Sequence, residues 1–358
     1  MSPAVLEPPF VSVVLPVRDE APFLPRCLEA LAHQTYPRER FEVVVVDGGS
    51  RDGSAAIAEA YAARGLPLRV LPNPVGTTPA GLNVGVRHAR GEVIVILGAR
   101  AEVAADFLAR SVAALARTGA DAVGGVVESS PWAGRETSIA RAIALALRSP
   151  FGVGDARYRY ARREQEVDTV NYGAYRRAVF ARVGLFDETM TWVEDDEFNY
   201  RLRAAGGRLV LVPEVRVRYT ARPDLCALWR QQFRWGLNKP RVAQRHPAQM
   251  RPRHAVPALF VATVLGSALT APWLRPARPL LGAVLGAYAL ATALATALAG
   301  RAARRGGAGA PWPVLLRLPF AFATMHLAYG TGTLLGLARL AWHALRPGHA
   351  RGSERGTS

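Results

Sequence analysis

Over its first third the chain alternates short, β-branched apolar runs with stretches whose apolar residues recur every three or four positions. Residues 11–17, 41–46, 68–71, 93–97 and 122–127 are mostly apolar, as strands buried on both faces are. Between them, residues 23–34, 54–64, 78–89 and 104–117 read as helices; in the first, Leu24, Leu28 and Leu31 share one face. This order predicts an α/β fold, a largely parallel sheet between helices, which binds ligands beyond the carboxyl ends of its strands. A mixed segment over 169–219 ends in two strand-like runs, 208–212 and 215–219.

The pattern changes in two later places. Residues 139–147 are mostly apolar, with Arg135 before them and Arg141 within, and lead to a basic loop bearing tyrosines at 155–163. Two readings stand: an interfacial helix beside an acceptor, or a core helix followed by a polar loop. After an arginine-rich stretch over 241–253, residues 255–273 and 280–299 each approach the ~20 apolar residues needed to cross a bilayer. Residues 315–345 are interrupted by Arg317, Pro319, His326 and Gly330-Thr331-Gly332, which fits one span after an interfacial piece, or a re-entrant pair. The arginines of 241–253 and 301–305 fall on one side of the hairpin, as the positive-inside rule prefers, while Arg275 and Arg278 occupy the opposite turn.

The formal net charge of +17 over 358 residues is carried by arginine, Lys239 being the single lysine. That balance suits an anionic lipid surface or a phosphate-bearing ligand. It is not accompanied by zinc-ligand spacing, an RNP-like aromatic segment or a heptad-linked basic region, so nucleic acid is not an expected partner. Cys27 and Cys226 stand alone in different segments, which argues against a disulfide framework and fits a reducing compartment. The first ten residues lack a basic patch and an apolar run and do not read as a signal peptide.

Three segments carry candidate chemistry. Residues 191–203 set Glu194, Asp195 and Asp196 at a helix start; Gln231, Arg234 and Trp235 follow about forty residues on; Asp47-Gly48-Gly49-Ser50 closes the second strand. Transfer of a group from a nucleotide needs a carboxylate to take the acceptor's proton, and cations or rings to hold diphosphate and acceptor. Together these segments resemble the inverting family 2 glycosyltransferases, in particular the membrane-bound subgroup typified by succinoglycan-type exopolysaccharide glucosyltransferases, over about residues 10–245. The resemblance implies a GT-A-type fold over 10–245, an N-terminal tail over 1–9, a membrane region of about three helices over 254–345, and a polar tail over 346–358 that reads as disordered.

It also implies roles. Pro16, Val17, Arg18 and Glu20 would wrap the base and ribose of the donor; the alternative is that Asp19 or Glu20 merely caps the next helix. Asp47 would contact uracil or ribose, with an ordinary strand-to-helix turn as its alternative, while Asp52 looks like an N-cap. Asn83, after the Gly76–Gly81 stretch of small residues, would bond the base or pyrophosphate, or else belong to a plain capped helix. Where the family has Asp-x-Asp or Asp-x-His to reach ribose and hold Mg²⁺ or Mn²⁺, this chain has Gly98-Ala99-Arg100. Arg100 in place of the metal, Glu102 as a displaced ligand, and a degenerate site all remain open, and with them metal dependence. Asp195 aligns with the general base; Glu194 would shape its pKa and Arg201 approach the cluster, against the alternative of a solvated acidic helix start. Gln231, Arg234 and Trp235 resemble a Gln-x-x-Arg-Trp element that holds acceptor and diphosphate, or else form an amphipathic interfacial helix.

The function implied is transfer of a hexose, from a UDP-sugar donor, to a lipid-linked or glycan acceptor in cell-surface polysaccharide assembly. The catalytic domain would be cytoplasmic and the anchor a multi-pass segment in the inner membrane. A processive synthase and a catalytically silent, membrane-anchored binder of nucleotide sugars are the alternatives; oligomeric state is left open.

Overall fold

The computed structural model describes residues 7–305 and 309–345, so most of the N-terminal tail and the polar tail expected from 346 lie outside the described residues. In chain order the elements are β1 (Val11–Val17), α1 (Leu24–Ala32), β2 (Phe41–Asp47), α2 (Ser54–Ala63), β3 (Leu68–Pro72), α3 (Thr78–His88), β4 (Val93–Ile96), β5 (Ala101–Val103), α4 (Phe107–Thr118) and β6 (Ala122–Ser130). Then come α5 (Ser138–Ala146), α6 (Pro150–Val153), β7 (Gln165–Glu166), β8 (Ala174–Arg176), α7 (Arg177–Val183), α8 (Glu194–Ala204) and β9 (Leu209–Thr220). Four long helices close the described chain: α9 (Leu225–Arg245), α10 (Pro252–Thr270), α11 (Ala277–Arg305) and α12 (Trp312–Ala344).

These elements form two compact units. One runs through Glu136 and resumes over 147–221; the other takes 137–146 and the described residues from 222 on. α9 packs along α12 and is grouped with the second unit, while the first unit's contacts run to 221.

The first unit is an α/β sandwich on a nine-stranded sheet of order β3-β2-β1-β4-β8-β6-β9-β5, with β7 added alongside β9. β3, β2, β1 and β4 are mutually parallel, in a register that sets Val13 beside Val43 and Val95, and Val17 beside Asp47. Period-two alternation splits β1 between two cores. Val11, Val13, Leu15 and Val17 join Leu24 and Leu28 of α1 and Phe107 and Leu108 of α4. Val14 points the other way, to Leu82 and Val86 of α3 and to Phe198 and Leu202 of α8. Phe186 and Phe180 stack on Phe198 at 4.5 and 5.1 Å between centroids, so α8 is seated by aromatic packing worth about 0.5–1.5 kcal/mol per pair beyond its area burial.

Short strands are where the pattern and the fold diverge. β5, β7 and β8 have two or three residues each, too few for a periodic signal. The two runs expected over 208–219 form one strand, β9, which slips against β6: Gly124 pairs with Leu211, but Val126 pairs with Arg216. Gly125 makes the slip affordable sterically, since a Cβ there would lie 1.8 Å from the Val215 carbonyl oxygen.

In the second unit α12 is a single helix of 33 residues through Pro319, neither an interfacial piece plus a span nor a re-entrant pair. α5 buries Ala140, Ala142, Ile143, Ala144 and Ala146 and packs on α12 and α9. α9 and α12 meet backbone to backbone through glycines. A Cβ on Gly236 would stand 2.1 Å from the Tyr329 oxygen, and one on Gly332 would stand 2.3 Å from the Phe233 oxygen. Lacking a Cβ, the glycines let the two backbones approach this closely. α10 and α11 are long and apolar enough to cross a membrane. They leave Leu269 and Leu290 about 70% exposed (70% and 73%), a surface suited to lipid rather than water.

A prediction follows from the glycine contact. Gly236→Val should cost about 1–3 kcal/mol through overpacking and lower the thermal midpoint in detergent. Gly286→Ala in α11, where a Cβ meets nothing within 4 Å, should leave the midpoint unchanged or raise it.

Candidate active site

Because β1, β2 and β4 run parallel, the loops that follow them open at one edge of the sheet. Backbone bonds draw these loops together: Gly48 N–H donates to the Val17 carbonyl at 2.8 Å, and Asn73 N–H to the Asp47 carbonyl at 2.7 Å. Arg18 Nη1 donates to the Gly76 carbonyl at 3.0 Å. Gly76 has φ 72°, in the left-handed region that favours glycine, at this crossing. Pro16, Val17, Arg18, Asp47 and the Gly76 turn thus come together as the sequence implies.

Asp19 and Asp52 bind the first two loops to each other. The Asp19 N–H donates to Ser50 Oγ at 3.0 Å while Asp19 Oδ1 accepts from Arg51 N–H at 2.8 Å. Asp52 Oδ2 accepts from Ala21 N–H at 2.8 Å, and Oδ1 from the Ser54 hydroxyl at 2.6 Å. The cap position of α2 itself is Gly53, in the left-handed region at φ 91°, so Asp52 braces two turns rather than serving as the N-cap. Asp47 folds its carboxylate back onto the N–H groups of Gly49 and Ser50, at 3.2–3.3 Å. That bond fixes its rotamer at the strand end.

Arg100 and Glu20, expected separately at the donor site, are an ion pair. Arg100 Nε stands 3.2 Å from Glu20 Oε2, and its guanidinium lies over the Phe23 ring at 3.7 Å. Phe23 is backed by Trp132 at 4.7 Å between centroids. Glu102, the other candidate at this corner, sits in β5 opposite Arg218 of β9 and forms an ion pair with it at 3.7 Å.

Asp195 lies in the first turn of α8, where helix-end N–H groups favour negative charge. Its Oδ1 accepts from the Asp196 N–H at 2.8 Å and its Oδ2 from Asn171 Nδ2 at 3.3 Å. Glu194 beside it has a buried Oε2 with no hydrogen-bond partner. Burial first, and then the charge of Asp195, push the Glu194 carboxyl up to about 8, so it holds its proton at neutral pH. Arg201 does not reach this pair. It forks onto Glu197, Nε to Oε1 at 2.7 Å and Nη2 to Oε2 at 3.0 Å, and also donates to the Leu185 carbonyl, pinning the loop before α8.

Asn83 is hydrogen-bonded within the fold. It is 2% exposed, its Oδ1 accepts from Phe186 N–H at 2.9 Å, and its Nδ2 donates to the Phe186 carbonyl and to Glu188. In this way it holds the loop leading to the acid cluster.

Asn171 and Tyr172 are site residues that pattern reading passed over. Tyr172 takes φ 53°, and its ring lies 3.5 Å from where a Cβ on Gly98 would be. This residue therefore joins the β4 end to the Asp195 corner through its neighbour Asn171. The only visible signal was the turn-forming run Asn171-Tyr172-Gly173. The three non-glycine residues with positive φ among the described residues are Asp19, Tyr172 and Trp192, all in loops of this edge, where backbone strain tends to gather at functional sites.

In the helical unit, α9 carries Gln231 buried, Trp235 half-buried and Arg234 exposed. Among the described residues, no three His, Cys, Asp or Glu side chains are grouped to hold a metal ion.

Comparison with known proteins finds sequence and structural relatives of this chain. Residues 12–184 match the sequence model of glycosyl transferase family 2. The succinoglycan biosynthesis protein ExoA of Rhizobium meliloti is 28% identical over 261 residues, which cover 72% of this chain and 77% of that protein. Glycosyltransferase AglE of Haloferax volcanii is 37% identical over 121 residues, 34% of this chain and 40% of the relative's length. In structure, the mannosyltransferase PcManGT of Pyrobaculum calidifontis, solved with GDP-Man and Mn²⁺, has a TM-score of 0.59 at 24% identity, covering 92% of this chain and 88% of its own. TarS of S. aureus with UDP-GlcNAc has a TM-score of 0.52 at 18% identity, covering 93% and 92%. At such identities the structural likeness speaks for the GT-A-type fold alone.

The raised Glu194 carboxyl generates a pH prediction. Since the folded chain holds this proton more tightly than the unfolded one, the contribution of Glu194 to stability is greatest below the ordinary carboxyl range and is lost as pH rises through about 8. Glu194→Gln should flatten that decline and melt higher than the parent chain at pH above about 8, as thermal melts across pH would record.

Proposed function

We propose that this chain, a glycosyltransferase with a family 2 domain, moves a hexose from a nucleotide sugar, UDP-linked, to a lipid-linked or polysaccharide acceptor with inversion at the anomeric carbon. The observation that carries the reading is Asp195, held by Asn171 and by the Asp196 N–H at the start of α8. Tyr172 connects that corner to the strand ends where a nucleotide binds.

In the proposed reaction the acceptor hydroxyl attacks the anomeric carbon of the donor sugar as Asp195 takes its proton. The carbon–oxygen bond to the diphosphate breaks on the opposite face, and the nucleoside diphosphate leaves with the bonding pair. Glu194 keeps its own proton at neutral pH, which limits the charge crowded beside the base. Val17, Arg18, Glu20 and Asp47 form the nucleoside end of the site. Gln231, Arg234 and Trp235 serve the acceptor or the diphosphate, Trp235 by stacking and Arg234 by charge.

The reading places the reaction at a membrane. α10 and α11 anchor the chain through apolar faces, and the arginines that precede and follow them favour the cytoplasmic leaflet of a bacterial inner membrane, where nucleotide sugars are made. Polysaccharide assembly is supported by the similarity to the succinoglycan biosynthesis protein.

Asp195→Asn should lower transfer from radiolabelled UDP-hexose to membrane lipid by about 10²–10⁴-fold while UDP binding stays within about threefold. Turnover of the variant at the parent rate would remove Asp195 from the base role.

A further inference from the structure

We infer that Arg100 is itself the cation for the donor's diphosphate, so that a nucleoside diphosphate binds this chain without a divalent metal. The inference rests on the donor site proposed above and specifies how its phosphates are held.

The corner after β4 does not fit a metal ion. Gly98 has no side chain, and a Cβ there would meet the Tyr172 ring at 3.5 Å. Glu20 is engaged by Arg100 at 3.2 Å, and Glu102 faces Arg218 at 3.7 Å. A divalent ion set among these groups would stand against a guanidinium, with like charges a few ångströms apart.

The same corner is built to hold a guanidinium in one orientation. The Arg100 backbone is fixed on both sides: its carbonyl accepts from Thr220 N–H at 3.0 Å, and Ala101 N–H donates to the Gly98 carbonyl at 2.9 Å. Phe23 supports one face of the guanidinium, at 3.7 Å, and Trp132 supports Phe23. Glu20 takes the Nε edge. A planar group fixed at one face and one edge loses little further entropy on binding, and its fork matches phosphate oxygens. The Arg100 side chain is still 17% exposed, so the corner is open to a ligand. Arg18, after the neighbouring strand β1, is also exposed and adds a second positive charge at this edge. Two guanidinium groups carry the charge that one divalent ion would bring, while Glu20 keeps Arg100 from being an uncompensated cation before the donor arrives.

The test is calorimetric binding of UDP to the full chain in detergent, with Mn²⁺ and with EDTA, for the parent, Arg100→Ala, Arg100→Lys and Arg100→Asp. The expected result is parent affinity equal within about twofold in the two buffers, and a loss of about tenfold or more for Arg100→Ala in both. Arg100→Lys keeps a cation with little risk to folding and should lose severalfold, because it lacks the fork. Arg100→Asp should bind weakly in EDTA and recover with Mn²⁺, the metal entering once the guanidinium is gone. Parent affinity that collapses in EDTA, or Arg100→Ala and Arg100→Lys binding like the parent, would overturn the inference and leave the donor site standing. No UDP binding by the parent in either buffer would overturn the donor site itself.

Discussion

The parallel pairing of β1 with β2 and β4 is the constraint on which the rest of the first unit depends. Parallel strands must return through connections on the sheet's faces, so their forward loops all open at one edge. Here that edge gathers Arg18, Glu20, Asp47 and Arg100 from three different loops. The strands can pair this way because both of their faces are apolar: Val13 and Val14 of β1 are each fully buried, on opposite sides. Aromatic packing of Phe198 then fixes α8 on one of those faces and brings its first turn, with Asp195, toward the same edge.

Two glutamates show how the fold distinguishes structure from chemistry. Glu42, 2% exposed, would be raised by burial, yet the Ser12 hydroxyl at 2.7 Å, the Arg90 N–H at 2.8 Å and the charges of Arg69 and Arg90 hold its carboxyl below the usual range. Glu194 has a buried oxygen with no such partner and a carboxylate neighbour, and it moves the other way. A fold that satisfies the buried Glu42 so fully and leaves one oxygen of Glu194 without a partner, next to Asp195, concentrates its electrostatic cost beside that aspartate. The positive-φ residues Asp19, Tyr172 and Trp192 put backbone cost in the same loops.

Much of this was legible in the chain. Strands β1 to β4, β6 and the helices between them follow from apolar runs and from the spacing of residues such as Leu24, Leu28 and Leu31. Asp195 and the Gly98-Ala99-Arg100 departure stood out by resemblance. What the sequence hid were contacts between distant segments. Asn83 meets Phe186 across 103 residues, and Arg100 meets Glu20 across 80. No local pattern announces such pairs. Arg201 looked free to approach Asp195 by helical spacing, but Glu197 is four residues away and takes it first. The site of α9 was hidden for a similar reason: its glycine contact with α12 is set by Gly332 and Gly336, nearly a hundred residues on.

The central claim is a single displacement at the anomeric carbon with Asp195 as base. Its most direct measurement is the anomeric configuration of the product, read by proton NMR after transfer from a UDP-α-hexose. The account predicts a β-linked product formed with release of one UDP per sugar. An α-linked product would contradict it.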